Sequence, residues 1–195
     1  MPESVSSTVE TEKQQVRLAG FGGQGIVLAG MILGKAVTLF ENLNAVMTQS
    51  YGPEARGGAC SADVVISTGR INYPKVSKPD VLVLMAEEAA RTYGEGAADG
   101  AMILVNENLV KTLPGKKGLS IMKVPATAIA EDLGRVIVAN IVMLGFIAAL
   151  CDFVSYDAMK QSILSTIPRG TEKLNTAAFQ AGYDHGMSLQ QNVKG

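Results

Sequence analysis

The run GFGGQGIVLAGMILGKAV, residues 20–37, limits the possible folds of this chain more than any other stretch. An apolar lead-in, Val16 and Leu18, enters three glycines, Gly20, Gly22 and Gly25, at G-x-G-x-x-G spacing, and a helix-like run follows. That run is apolar nearly all round: Ile26, Val27, Leu28, Met31, Ile32 and Leu33 all precede its first charge, Lys35. A helix on the surface of a globular protein shows a polar face. One without it needs cover on both flanks, so one side meets a sheet and the other meets something else. Strand, tight glycine turn and covered helix together form the opening unit of a layered α/β fold.

The rest of the chain keeps this alternation. Strands are expected over 16–20, 44–49, 59–67, 80–85, 101–106 and 119–124, with helices over 24–40, 87–98, 127–133, 139–152, 156–165 and 172–187. Thr127 and Thr171 stand where helix N-caps belong. The pattern predicts a three-layer α/β/α sandwich with a mostly parallel, Rossmann-like mixed sheet. With 195 residues, one domain is expected over 15–190, behind a flexible polar tail at 1–14. The most apolar stretch, VIVANIVMLGFIAAL at 136–150, is interrupted by Asn140 and is shorter than the ~20 residues that span a bilayer. It is expected to be a buried helix, and no membrane partner is expected.

Charge and cysteine content exclude several functions. A net charge of −1 provides no basic footprint for nucleic acid or an anionic surface. Between Leu18 and Gly69 the only charges are Lys35, Glu41, Glu54, Arg56 and Asp63, which suggests a face covered by partner chains. Cys60 and Cys151, with the single histidine His185, make neither an Fe–S nor a zinc site by themselves. The start MPESVSSTVETEKQQ has no apolar core of a signal peptide, and two unpaired cysteines fit a reducing compartment, so a cytoplasmic location is expected.

A glycine turn at a helix N-terminus favours an anion above it. A dinucleotide site would also need an acidic residue at the end of the second strand, where this chain has Thr48, Gln49 and Ser50. No Gly-Lys-Ser/Thr follows the turn, so it is not a nucleoside-triphosphate loop. Close helix packing without a ligand remains open, although Gln24 at the turn favours a polar contact. A second glycine-rich segment, SYGPEARGG at 50–58, sets Glu54 and Arg56 between Gly52-Pro53 and Gly57-Gly58. Should the first two strands be neighbours, both segments share the sheet edge where parallel strands form their ligand crevice. There, Arg56 is either a fork for a carboxylate or phosphate or half of an exposed ion pair with Glu54. His185 is expected near a helix C-terminus, Cys60 as a small buried strand residue, and Asn140 bonded to a neighbouring loop.

Taken in order, GFGGQGIVLAG, SYGPEARGG, VVIS with INYPKVSKPDVLVLM, ANIVMLG and NTAAFQAG resemble the gamma subunit of 2-oxoacid:ferredoxin oxidoreductases from about Arg17 to Tyr183. The resemblance implies a multi-subunit enzyme that oxidatively decarboxylates a 2-oxoacid on thiamine diphosphate. Electrons pass through Fe–S clusters to ferredoxin, and an acyl-CoA is released. It implies alpha, beta and ferredoxin-like delta partner subunits, with thiamine diphosphate and the clusters on those chains, CoA in the assembled complex, and no cofactor on this chain alone. The family's first motif falls on Gly22, Gly23, Gln24 and Gly25, which would shape the turn and supply backbone donors. The second falls on Tyr51, Gly52, Pro53, Glu54, Arg56, Gly57 and Gly58, which would form a subunit-facing loop near the substrate or CoA channel. Neither holds a nucleophile beside a base, so no catalytic residue and no metal ligand is assigned and the isolated chain is expected to be inactive. Two alternatives stand beside this: an independent nucleotide- or flavin-binding Rossmann-like protein, and the similar indolepyruvate oxidoreductase beta subunit. The 2-oxoacid is left open, with 2-oxoglutarate or a branched-chain acid favoured by the resemblance.

Overall fold

The computed structural model describes residues 13–51 and 58–194. Strand β1 (Lys13–Phe21) outruns the expected 16–20 because β3 (Ala59–Ser67) pairs antiparallel along its whole length, from Lys13 opposite Ser67 to Phe21 opposite Ala59. On its far side β3 pairs antiparallel with β2 (Asn44–Tyr51). Beyond β1 come β4 (Val81–Leu84), β5 (Met102–Asn106) and β6 (Ser120–Val124), all parallel, so the order is β2-β3-β1-β4-β5-β6. Only β3 runs against the others. The first two strands are therefore not neighbours: β3 lies between them. Its small and branched residues are buried from end to end, as a strand with neighbours on both sides demands.

Helix layers cover both faces. On one side α1 (Ile26–Phe40), α3 (Ala126–Asp132), α4 (Ala139–Leu150), α5 (Tyr156–Leu164) and α6 (Glu172–Lys194) enclose the larger core around Val16, Leu18, Val64, Val83 and Leu104. On the other, α2 (Glu87–Tyr93) covers Ala19, Leu82, Leu84, Ile103 and Val105. It ends at Tyr93 and tightens into a 3₁₀ turn over Gly94–Gly96 instead of running to Ala98. The apolar α1 meets the sheet on one flank and α5 on another, where Ser162 donates from Oγ to the Ile32 carbonyl at 2.6 Å. Lys35, its single charge, reaches the Ser165 carbonyl and Thr166 Oγ1, both at 3.2 Å.

Several local expectations change. Pro125, not Thr127, stands at the N-cap of α3; Thr127 is the second residue of the helix and buried, its hydroxyl accepting from Asn106 Nδ2 at 2.9 Å. Thr171 does precede α6, but its hydroxyl donates to the Pro168 carbonyl at 2.7 Å. The run at 136–150 is not one buried helix: Val136–Val138 is a 3₁₀ turn with Val136 and Ile137 exposed, and only then does the buried α4 begin. Helix α6 continues past the expected end at Met187, so His185 lies inside it, its ring 5.5 Å from that of Phe146. Among the described residues no helix is long and apolar enough to cross a membrane.

One largely buried ion pair, with Arg17 partly exposed, ties the layers together. Arg17 on β1 faces Asp63 on β3 across the ladder and donates from Nε at 2.7 Å and Nη2 at 2.6 Å to its carboxylate. The same Nη2 donates to the Val76 carbonyl at 2.9 Å, and the guanidinium lies 5.3 Å from the centre of the Tyr93 ring. The hydrogen bond to Asp63 raises the Arg17 pKa above its usual value. Two strands, the 68–80 segment and α2 share this contact.

Candidate functional site at the C-terminal edge of the sheet

The glycine turn is closed from within. Gln24 donates its backbone N–H to the Phe21 carbonyl at 3.1 Å, while its side-chain Oε1 accepts from the Phe21 N–H at 2.8 Å. Its Nε2 donates to the Met85 carbonyl, just past β4, at 3.2 Å. Thus the side chain expected to make a polar contact is consumed in joining the ends of two parallel strands. Gly20 makes room for it: a Cβ there would lie 2.6 Å from Gln24 Oε1 and from Ile26 Cδ1. Gly23 (φ +97°) and Gly25 (φ +72°) are left-handed, a region glycine enters without cost. Gly25 is also crowded, since a Cβ would stand 2.3 Å from Asn140 Nδ2, which donates to the Gly25 carbonyl at 3.1 Å. Asn140 therefore binds a neighbouring loop, as its position in the apolar run requires.

The rim of the turn is open. A Cβ on Gly22 or Gly23 would meet nothing within 4 Å. Phe21 is 41% exposed beside them. The 3₁₀ turn leading to Asn140 carries Val136 and Ile137 at 52% and 59% exposure. That exposed pair is not foreseen in the sequence, because Val136 and Ile137 read there as the start of a buried helix.

The second motif reaches the same edge across β3. Because β2 and β1 run the same way on either side of it, Tyr51 lies opposite Cys60, and Cys60 opposite Gly20. Tyr51 is 65% exposed and Gly58 half-buried, so both ends of the β2–β3 connection stand at the edge that carries Gly22 and Gly23. Gly52, Pro53, Glu54, Arg56 and Gly57 lie outside the described residues.

The chemistry available from the described residues is that of binding. Cys60 is buried, which raises its thiol pKa, and burial followed by the nearby Asp152 pushes Cys151 up to about 12. Neither is a thiolate at neutral pH. Among the described residues no three His, Cys, Asp or Glu side chains gather to hold a metal. An Fe–S cluster therefore does not fit this donor set.

The profile of the pyruvate ferredoxin/flavodoxin oxidoreductase family matches residues 15–185. The chain is 49% identical to the 2-oxoglutarate synthase subunit KorC of Methanocaldococcus jannaschii over 180 residues, covering 91% of this chain and 96% of that one. It is 46% identical to KorC of Methanothermobacter marburgensis over 185 residues, covering 92% and 100%. In three dimensions it is similar to the keto/oxoacid ferredoxin oxidoreductase gamma subunit of Geobacter sulfurreducens, with a TM-score of 0.83 at 36% identity, over 91% of this chain and 98% of that one.

Proposed function

Since the chain belongs to the pyruvate ferredoxin/flavodoxin oxidoreductase family, as a gamma subunit of a 2-oxoacid:ferredoxin oxidoreductase, we propose that its C-terminal sheet edge is the face it turns to the partner chains and to CoA. The observation that supports this reading is the register Gly20–Cys60–Tyr51, by which the glycine turn and Tyr51, the first residue of the second motif, stand at one edge. Exposed Phe21 on that edge, and exposed Val136 and Ile137 ahead of Asn140, whose amide bonds the turn, suit a subunit contact. Arg56 adds a permanent five-donor fork for a partner carboxylate or a CoA phosphate. The alpha, beta and ferredoxin-like delta chains carry thiamine diphosphate and the clusters. Together they would convert a 2-oxoacid, CoA and two oxidising equivalents from ferredoxin into acyl-CoA and CO₂. With KorC chains among its relatives, 2-oxoglutarate is the proposed acid, and the cytoplasm, where two unpaired cysteines persist, the proposed compartment.

The test is reconstitution with the partner subunits. The isolated chain should reduce no viologen with any 2-oxoacid. In the assembled enzyme Arg56→Ala should lower turnover or raise the CoA requirement about ten-fold or more, the loss of a charged hydrogen-bonding pair. Arg56→Lys, which keeps charge without the fork, should fall between. Wild-type turnover and CoA requirement in a normally assembled Arg56→Ala enzyme would remove Arg56 from the site.

A further inference from the structure

The two outer strands of the sheet are built differently. Strand β6 is short, five residues, and carries Lys123, both of which discourage pairing with another chain. Strand β2 has eight residues in unbroken register with β3, from Asn44 to Tyr51, with no charge, no proline and no bulge. Its other side has no strand among the described residues, so among them a long, uncharged edge has no partner.

The helix beside that edge has a flank without charge, its single charge, Lys35, being turned to Ser165 and Thr166. At Gly30, in its second turn, α1 sits above both β2 and β3: a Cβ there would lie 3.2 Å from Met47 Sδ and 2.6 Å from the Ala62 Cβ. By helical phase Val27, Met31, Gly34 and Thr38 share one stripe, and the buried residues of α1 lie on other faces. Met31 is 46% exposed, and a Cβ on Gly34 would meet nothing. Thr38 spends its hydroxyl on the Gly34 carbonyl at 2.7 Å, which leaves its methyl group as the outward chemistry.

From these features we infer that β2 pairs antiparallel with β2 of a second copy of this chain, about a two-fold axis near Met47, to give a continuous twelve-stranded sheet. Strand spacing is about 4.8 Å, and α1 lies above the β2–β3 pair. Pairing the strands then brings the two α1 axes about 10 Å apart at that level, near the 8–10 Å of packed helices. One motion satisfies both the open ladder and the bare helix flank. A foreign strand would complete the ladder and leave the flank uncovered. Self-pairing is also free of charge repulsion, because neither β2 nor the stripe carries an ionised side chain. A wall about 27 Å long and roughly 20 Å deep buries on the order of 1,100 Å² over both copies, near the lower bound of specific interfaces. The dimer should be of micromolar strength.

Sedimentation velocity of the purified full chain from 1 to 100 µM tests this. The wild type should move from the 20.4 kDa monomer towards twice that mass across the range. Thr48→Lys on the strand and Met31→Glu on the helix should each weaken dimerisation ten-fold or more, with circular dichroism confirming that both remain folded. A wild-type chain that is monomeric at 100 µM, or a dimer indifferent to both substitutions, would overturn the inference. If the β2 amides exchange rapidly in the free chain and slowly only in the assembled complex, the edge belongs to another subunit and self-pairing is wrong. None of these readouts involves turnover, so the outcome is separate from that of the Arg56 variants.

Discussion

Where α4 crosses α6, a Cβ on Gly182 would lie 2.1 Å from the Val142 carbonyl oxygen, whereas one on Gly22, in the turn before α1, would meet nothing within 4 Å. The two glycines answer to different constraints. At the crossing, a Cβ on Gly145 would likewise lie 2.4 Å from the Phe179 carbonyl oxygen and one on Gly186 2.7 Å from the Ala149 Cβ, so the two helices approach to near backbone contact. In the turn, Gly20 and Gly25 are needed in the same sense, for Gln24, Ile26 and Asn140, while Gly22 is not. A glycine motif thus divides into positions that build the fold and positions that leave a surface bare. Only the second kind points to a partner.

The largest expected effect lies at the helix crossing. In Gly182→Ala the new methyl meets a backbone carbonyl inside a packed pair of helices, and α4 is buried almost throughout, so relief requires the helices to separate. A loss of about 3 kcal/mol is expected, read as a fall of roughly 1.5 M in urea midpoint at an m-value of about 2 kcal/mol/M. A midpoint within 0.3 M of wild type would show that the helices part freely, and the contrast with Gly22 would collapse.

An intermediate effect is expected at Gly25, which has two separable reasons to be glycine. Alanine there carries the left-handed cost of about 1–2 kcal/mol and also displaces the Asn140 amide, 2.3 Å from the new Cβ. Asn140→Ala alone should cost about 1–2 kcal/mol through its lost bond to the Gly25 carbonyl. With Asn140 already removed, Gly25→Ala should cost only its backbone strain, so the double variant should be more stable than the sum predicts by about 1 kcal/mol. Additivity within 0.5 kcal/mol would mean that the two sites are energetically independent.

The sequence is most legible where local pattern decides the outcome. All six strands, and the six helices to within their ends, follow from alternation of apolar runs with Gly- and Pro-rich turns. Partner choice is less legible. The residues at 49–58 announce a turn, but nothing local says that β3 folds back between β2 and β1 and separates the first two strands. The Arg17–Asp63 pair escapes notice because its members are 46 residues apart and meet only through that insertion. Thr127 looks like a cap until Asn106, arriving from the end of β5, takes its hydroxyl. His185 looks terminal because the apolar spacing fades after Met187, while the backbone keeps α6 helical to Lys194. In the candidate site the two motifs are legible as glycine patterns, whereas the role of Gln24 as an internal tie depends on Met85, at the end of a strand distant in sequence.

The smallest effect on the fold is expected at Gly22, and it sharpens the comparison most. Gly22 is exposed, it is not among the left-handed glycines, and no atom stands where its Cβ would be. Alanine removes some freedom from the unfolded chain and adds no clash in the folded one, so stability should be unchanged or rise by about 0.5 kcal/mol. Gly23 cannot serve this purpose, since its φ of +97° would strain any replacement. The consequence of Gly22→Ala should fall on assembly instead. If a partner chain packs its backbone on the bare rim between Phe21 and the Val136–Ile137 turn, an added methyl overpacks that contact by about 1–3 kcal/mol. The variant should then melt like wild type yet need roughly ten-fold more of this subunit to restore half-maximal turnover in a titration against the other subunits. A variant that titrates like wild type would show that the open glycine faces water, and the interface would have to be sought on another edge of the sheet.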